Sequence, residues 1–188
     1  MTFDEANSLL SPTGPIQSIM SNEERRYIWN CVKQFQGCDV LEVGTAYGGT
    51  AILMALAGAG RVYTVDNWSC GQFDECMANI DSANCAEMIE VIACDSLLAS
   101  SKFATQGMAV VLVDGDHTGT RPYEDICAYS EKVRAGGYLL VDDTGNKHPA
   151  IEEGLARWLS EPASAGFSPD RACKDDEGQW KLRGFKRL

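Results

Sequence analysis

Val110-Val111-Leu112-Val113-Asp114-Gly115-Asp116-His117 is an apolar run that closes on two acids and a histidine. A second run, Gly137-Tyr138-Leu139-Leu140-Val141-Asp142-Asp143, ends in paired aspartates. A third, beginning Val40-Leu41-Glu42-Val43, passes into the glycine loop Gly44-Thr45-Ala46-Tyr47-Gly48-Gly49-Thr50. Each reads as a buried parallel strand with its chemistry at the carboxyl end. In an open α/β sheet, ligands bind outside that end. Asp114, Asp142 and Asp143 are oxygen donors suited to a hard cation. A glycine loop beside such a cluster points to a nucleoside cofactor next to a metal.

Working outward, apolar runs alternate with amphipathic stretches. Strands are expected at 39–43, 61–66, 88–94, 108–114 and 138–142, with 134–137 as a turn. Helices are expected from Ser21 to about Gln36, at 48–58, 71–83, from Ser96, at 122–134 and at 149–160. Residues 1–20, with Pro12, Gly14 and Pro15, read as irregular. Residues 180–185 alternate with period two, as a half-exposed strand does, and are expected to pair antiparallel with a strand near 167–173. This pattern implies a mainly parallel sheet covered by helices on both faces. Right-handed crossovers then bring Gly44–Gly48, Asp66, Asp95, Asp114–His117 and Asp142–Asp143 to one edge. A single domain is expected over 1–188: an N-terminal segment and helix (1–36), a core (37–160) and a C-terminal antiparallel edge (161–188).

The chain has 188 residues, 27 acids against 16 bases and a net charge of −11. That charge repels phosphate backbones, so nucleic acid is not an expected partner. The basic residues near the C-terminus (Lys181, Arg183, Lys186, Arg187) read as a solvated strand face. No apolar stretch reaches the roughly 18 residues a membrane span needs, so no membrane partner is expected. The first residues lack a signal peptide's basic and apolar regions, so a cytoplasmic location is expected. The eight cysteines include no C-x-x-C pair and are expected to be mostly reduced and packed. Cys70, Cys76 and Cys85, close together in a polar segment, are the candidates for a disulfide or soft-metal role.

The glycine loop departs from the dinucleotide fingerprint G-x-G-x-x-G, since Ala46 stands where the second glycine belongs. No P-loop motif is present. Asp66, about 20 residues past the loop, has the spacing of an acid that holds ribose hydroxyls, and Asp95 could accept from an adenine amino group. Both could instead be helix caps or turn residues. Asp116 could pair with Arg121 or orient His117.

Val40–Thr50, Val62–Asp66, Val110–His117 and Gly136–Asp143 together resemble four successive motifs of the class I S-adenosylmethionine-dependent methyltransferases. Within them they resemble the metal-dependent O-methyltransferases of the catechol and caffeoyl-CoA type, and most of all the bacterial macrolide-sugar branch with its aspartate-glycine-aspartate-histidine motif. The resemblance covers about residues 38–160. It implies a Rossmann-like fold with seven strands and a cofactor site of Glu42, Gly44, Thr45, Ala46, Gly48, Thr50, Asp66, Asp95 and Asp114. It also implies Mg²⁺ or another divalent cation on Asp114, Asp142 and Asp143. The catechol type usually has asparagine at the third ligand, where this chain has Asp143.

A divalent cation would stabilise an alkoxide and orient a neighbouring hydroxyl. His117, three residues after Asp114, has an ordinary pKa of roughly 6.5 and suits a general base. The expected reaction is O-methylation of a small molecule with adjacent oxygens, such as a catechol or sugar diol. His148 is the one other histidine and reads as a helix-start residue, so a histidine metal cluster is not expected. A two-histidine, one-carboxylate iron triad would need distortion. Trp68 could wall the pocket or pack, while Trp29, Trp158 and Trp180 read as packing residues. The alternatives are a nicotinamide-dependent oxidoreductase, disfavoured by Ala46 and the lack of a tyrosine-x-x-x-lysine dyad, and a non-catalytic S-adenosylmethionine-binding protein. Substrate contacts are expected from 1–20, 67–85 and 144–150. The short N-terminal segment leaves open an exposed pocket, a large acceptor, or a lid from a second copy in a homodimer.

Overall fold

The computed structural model describes residues 1–10, 14–145 and 147–188. In chain order the elements are α1 (Phe3–Leu9), α2 (Asn22–Lys33), β1 (Val40–Val43), α3 (Gly49–Ala57), β2 (Val62–Asp66), α4 (Phe73–Ser82) and β3 (Ile89–Ala93). Then come α5 (Ser96–Ser100), β4 (Met108–Val113), α6 (Arg121–Ser130), β5 (Val133–Val141), α7 (Pro149–Leu159), β6 (Phe167–Lys174) and β7 (Trp180–Arg187). The seven strands form one sheet in the order β3-β2-β1-β4-β5-β7-β6. β1 to β5 run parallel, and β7 lies antiparallel to both β5 and β6. This is the expected Rossmann-like sheet with an antiparallel edge.

Side-chain alternation explains the two-sided core. Val40, Val62, Ile89, Val110, Leu112, Tyr138 and Leu140 point to one face, with α1, α2, α3 and α4. Leu41, Val43, Val65, Ile92, Val111, Val113, Leu139 and Val141 point to the other, with α5, α6 and α7. Strands buried on both faces need near-continuous apolar runs. That is why those runs were conspicuous in the sequence.

Several expectations are corrected. Residues 1–20 are not all irregular: Thr2 and Glu5 form a reciprocal capping box, which starts α1. The helix expected over 122–134 stops at Ser130, because β5 begins at Val133, opposite Met108. Arg134–Gly137 is still a local excursion, but it is a bulge inside β5: the register jumps from Met108–Val133 to Val110–Tyr138, with Gly136 at φ +75°. Of the four basic C-terminal residues, Lys186 is exposed as expected, whereas the other three are engaged. Arg187 donates to the Ser130 and Val133 carbonyls, Arg183 pairs with Glu152, and Lys181 turns inward. Trp29 and Trp158 pack as expected, whereas Trp180 is exposed beneath Lys174.

The chain runs outward from β1 to β3 and then returns to β4 on the other side of β1. This reversal opens a crevice at the carboxyl ends of β1 and β4. The crevice depends on close backbone approach there. Gly44 has φ +91°, and a Cβ on it would overlap the carbonyl oxygen of Asp114. Gly44→Ala should therefore lose roughly 1–3 kcal/mol from backbone strain alone, with the overlap adding to it, as measured by urea unfolding.

Candidate active site

A cavity of about 780 Å³ occupies the crevice, within the range of small-molecule sites. Gly44, Thr45, Ala46, Thr50, Asp66, Asp95, Asp114, His117, Asp142 and Asp143 all line it. Gln17 to Met20 and parts of 67–72, from two of the segments expected to meet the substrate, complete its wall. None of its lining residues lies in 144–150, the third expected segment, of which residue 146 is outside the described residues. Trp68 does not line the cavity: its ring packs edge-on against Phe73 at 5.1 Å.

The glycine loop is held by Asp66. Its Oδ2 accepts from the Thr45 and Ala46 amides (2.9 and 3.1 Å), and its Oδ1 accepts from the Trp68 amide at 2.7 Å. Of about four acceptor positions on a carboxylate, these bonds use three. Asp66 is thus a turn-former that also lines the cavity. Glu42 is nearly fully buried and accepts from Thr64, whose hydroxyl also bonds that of Thr45. Burial pushes the Glu42 carboxyl well above its ordinary range; the Thr64 bond opposes this, and Asp114 and Asp66 add to it. Glu42 supports the loop from beneath and is not among the cavity-lining residues. Nor is Gly48, at which a Cβ would press on the Cys76 sulfur. Both of these expected cofactor contacts lie outside the cavity lining.

Asp95 caps α5 through the Leu97 and Leu98 amides and forms a close ion pair with Arg121. Arg121 therefore does not pair with Asp116. Asp116 accepts from the Thr118 amide and hydroxyl in a local turn, and does not orient His117. All eight cysteines are free, with Cys76 and Cys85 buried and Cys70 exposed. Among the described residues none joins a metal-binding group.

Beside the loop, Asp114, Asp142 and Asp143 each present a carboxylate oxygen within 4.8 Å of the others. They lie just past the ends of β4 and β5, which pair side by side. Asp143 adopts φ +52°, which aspartate tolerates better than most residues. Two residues that sequence reasoning missed complete the cluster. Glu24, buried on α2, and Lys181, on β7, meet at 3.5 Å, and the Lys181 ammonium lies 3.6 Å from both Asp142 and Asp143. Burial alone would lower the Lys181 pKa, but Asp142, Glu24, Asp143 and Asp114 overcome it and hold the ammonium charged. Asp142 goes the other way: burial, then Asp114 and Glu24, push its carboxyl well above the ordinary range. Its Oδ1 is buried without a hydrogen-bond partner among the described residues. Four acids against one lysine leave negative charge and an unused oxygen, so the donor set fits a divalent cation.

His117 Nε2 stands 3.3 Å from Asp143 Oδ2 and 3.7 Å from Asp114 Oδ1. His148 also enters this cluster, 3.9 Å from the same Asp143 oxygen, with its ring 4.6 Å from that of His117. His148 is a helix-start residue as expected, the N-cap of α7, and its ring also belongs to this cluster. His117, Asp143 and His148 bring ligand atoms within 4.8 Å of one another, so a two-histidine, one-carboxylate group does assemble.

The chain matches the model of a family described as methyltransferase domain over residues 41–144, more than half its length. No curated protein matches it. Solved structures share its fold. A cofactor-bound protein from MTB is 18% identical at a TM-score of 0.75, covering 98% of this chain and 85% of its own. An O-methyltransferase from Bacillus cereus in complex with SAH is 19% identical at 0.73, covering 99% and 90%. The O-methyltransferase TomG from Streptomyces achromogenes, involved in tomaymycin synthesis and in complex with SAM, is 19% identical at 0.73, covering 90% and 81%. Among the described residues no helix is long and apolar enough to cross a membrane.

The acids around His117 make a testable difference. The Asp114 carboxylate, followed by Asp143 and Asp116, holds the imidazole pKa above its ordinary value, while burial opposes it. A raised folded-state pKa adds stability that is full below about pH 6.5 and is lost as pH rises through the raised value. Asp114→Asn should bring the His117 titration, followed by NMR, back toward the ordinary range. It should also flatten that pH-dependent stability.

Proposed function

The chain belongs to the methyltransferase-domain family, and from that premise we propose that it is an S-adenosylmethionine-dependent O-methyltransferase of small molecules, assisted by a divalent cation. The acceptor is a hydroxyl with an adjacent oxygen, as in a catechol or a sugar diol. The reading rests on one observation: a base-competent histidine and three convergent carboxylates share a cavity wall with the glycine loop.

S-adenosylmethionine, when bound, supplies an electrophilic methyl group on sulfur. Thr45, Ala46, Thr50, Asp66 and Asp95 bind it along the loop side of the cavity, with Gly44 letting the backbone come close. Asp114, Asp142 and Asp143 hold the cation, Mg²⁺ being the ion best suited to oxygen donors; its chemistry is to lower the pKa of the acceptor hydroxyl and orient the neighbouring oxygen. His117 takes the hydroxyl proton at Nε2, and the acids beside it stabilise the resulting imidazolium. Lys181 restrains the spread of like charge, so the three acids stay together whether or not the cation is present. Gln17 to Met20, with Asn67, Ser69, Cys70 and Gln72, form the cavity wall that meets the acceptor.

Calorimetric titration of S-adenosylmethionine, with NAD as control, tests the cofactor, and titration of Mg²⁺ into wild type and Asp143→Asn tests the cation. The expected results are binding of S-adenosylmethionine but not NAD, and Mg²⁺ heat that is lost in the variant. NAD binding instead would overturn the proposal. His117→Gln should keep cofactor binding while methyl transfer falls by about 10²–10⁴-fold.

A further inference from the structure

His117 and His148 come from loops far apart in sequence, the first after β4 and the second immediately before α7. Their rings nevertheless stack edge to face at 4.6 Å, and both Nε2 atoms lie within 3.9 Å of one oxygen, Oδ2 of Asp143. The other oxygen of that carboxylate, Oδ1, faces Lys181. Asp143 therefore divides two environments: a carboxylate side, where Asp142 and Glu24 gather with it around the Lys181 ammonium, and a mixed nitrogen-oxygen side made by the histidines. Both imidazoles are partly exposed, so an ion can reach them from solvent.

The two sides suit different ions. Mg²⁺ favours oxygen donors and gains little from imidazole. Zn²⁺ and its neighbours bind imidazole well and accept a carboxylate beside it. Ligands on a tetrahedral ion with bonds of about 2.1 Å lie about 3.4 Å apart. The His117–Asp143 pair already has that separation at 3.3 Å, and the His148–Asp143 pair, at 3.9 Å, would close by about half an ångström. Asp114 Oδ1, 3.7 Å from His117 Nε2, does not group with the other ligand atoms, so water would complete the coordination.

We propose that His117, His148 and Asp143 form a second metal site, selective for imidazole-preferring divalent ions such as Zn²⁺. The site shares Asp143 with the oxygen-donor cluster, so two dications there would repel at close range and bind antagonistically. An ion on His117 Nε2 also removes that nitrogen as a proton acceptor, so Zn²⁺ inhibits methyl transfer. This inhibition rests on the proposed role of His117, whereas the binding site stands without it.

The chain has only two histidines, so both imidazole signals can be assigned and followed by NMR as Zn²⁺ is added to wild type, His148→Gln, His117→Gln and Asp142→Asn. The expected result is that one equivalent of Zn²⁺ shifts both imidazoles together. Affinity should fall at least about tenfold in either histidine variant, with a much smaller change in Asp142→Asn. Excess Mg²⁺ should weaken Zn²⁺ binding. If affinity is unchanged in both histidine variants, a thiol or the acidic cluster holds the ion and the proposal fails. It fails equally if Zn²⁺ moves neither imidazole, or if Asp142→Asn abolishes binding while His148→Gln does not. If Zn²⁺ moves both imidazoles but no methyl transfer exists to inhibit, the metal site stands and the functional reading falls.

Discussion

Four carboxylates around a single lysine set the terms for the rest of the molecule. Glu24, Asp142 and Asp143, with Asp114 beside them, crowd the carboxyl ends of two central strands, Glu24 and Asp142 buried and Asp114 and Asp143 partly open to the cavity. Burying like charges is unfavourable unless they are paired, protonated or bound to a cation. The fold uses the first two means directly: Lys181 supplies one positive charge, and burial pushes Asp142 toward its protonated form. This explains the antiparallel edge as more than a completion of the sheet. β7 lies beside β5, and from that position Lys181 reaches the aspartates while the α2 residue Glu24 approaches from the helical layer.

The cofactor side of the crevice follows a different logic, built from backbone. Gly44 lets the loop after β1 lie against the Asp114 carbonyl, and Asp66 ties down the loop amides from the next strand. Glu42, Thr64 and Thr45 form a buried chain of hydrogen bonds below it. The two halves meet at Asp114, whose backbone borders the loop and whose side chain belongs to the acidic cluster. A shift in either half is thus felt in the other, a rigid arrangement of the kind that positioned chemistry requires.

The sheet was legible because its strands are buried on both faces, which forces continuous apolar runs such as Val110–Val113 and Leu139–Val141. The acids at their ends were legible for the same reason, since a carboxylate following a buried strand stands out. What could not be read were contacts between elements distant in the chain. Lys181 sits in a period-two pattern that looks like an ordinary edge strand, and Glu24 looks like the last member of the Ser21 capping box, which it also is. His148 precedes a proline-led helix and looks like a helix start, until the β4–α6 loop brings His117 against it. Capping at Thr2 and the bulge at Gly136 depend on local geometry that apolar periodicity does not register.

On the proposed function, the acidic cluster and the glycine loop serve one reaction. Its most direct test is methyl transfer from isotope-labelled S-adenosylmethionine to a panel of catechols and sugar diols, with Mg²⁺ and with a chelator. The account predicts labelled methyl ether on at least one vicinal acceptor, formed with Mg²⁺ and lost on chelation. Transfer that is indifferent to the chelator would contradict the role given to Asp114, Asp142 and Asp143.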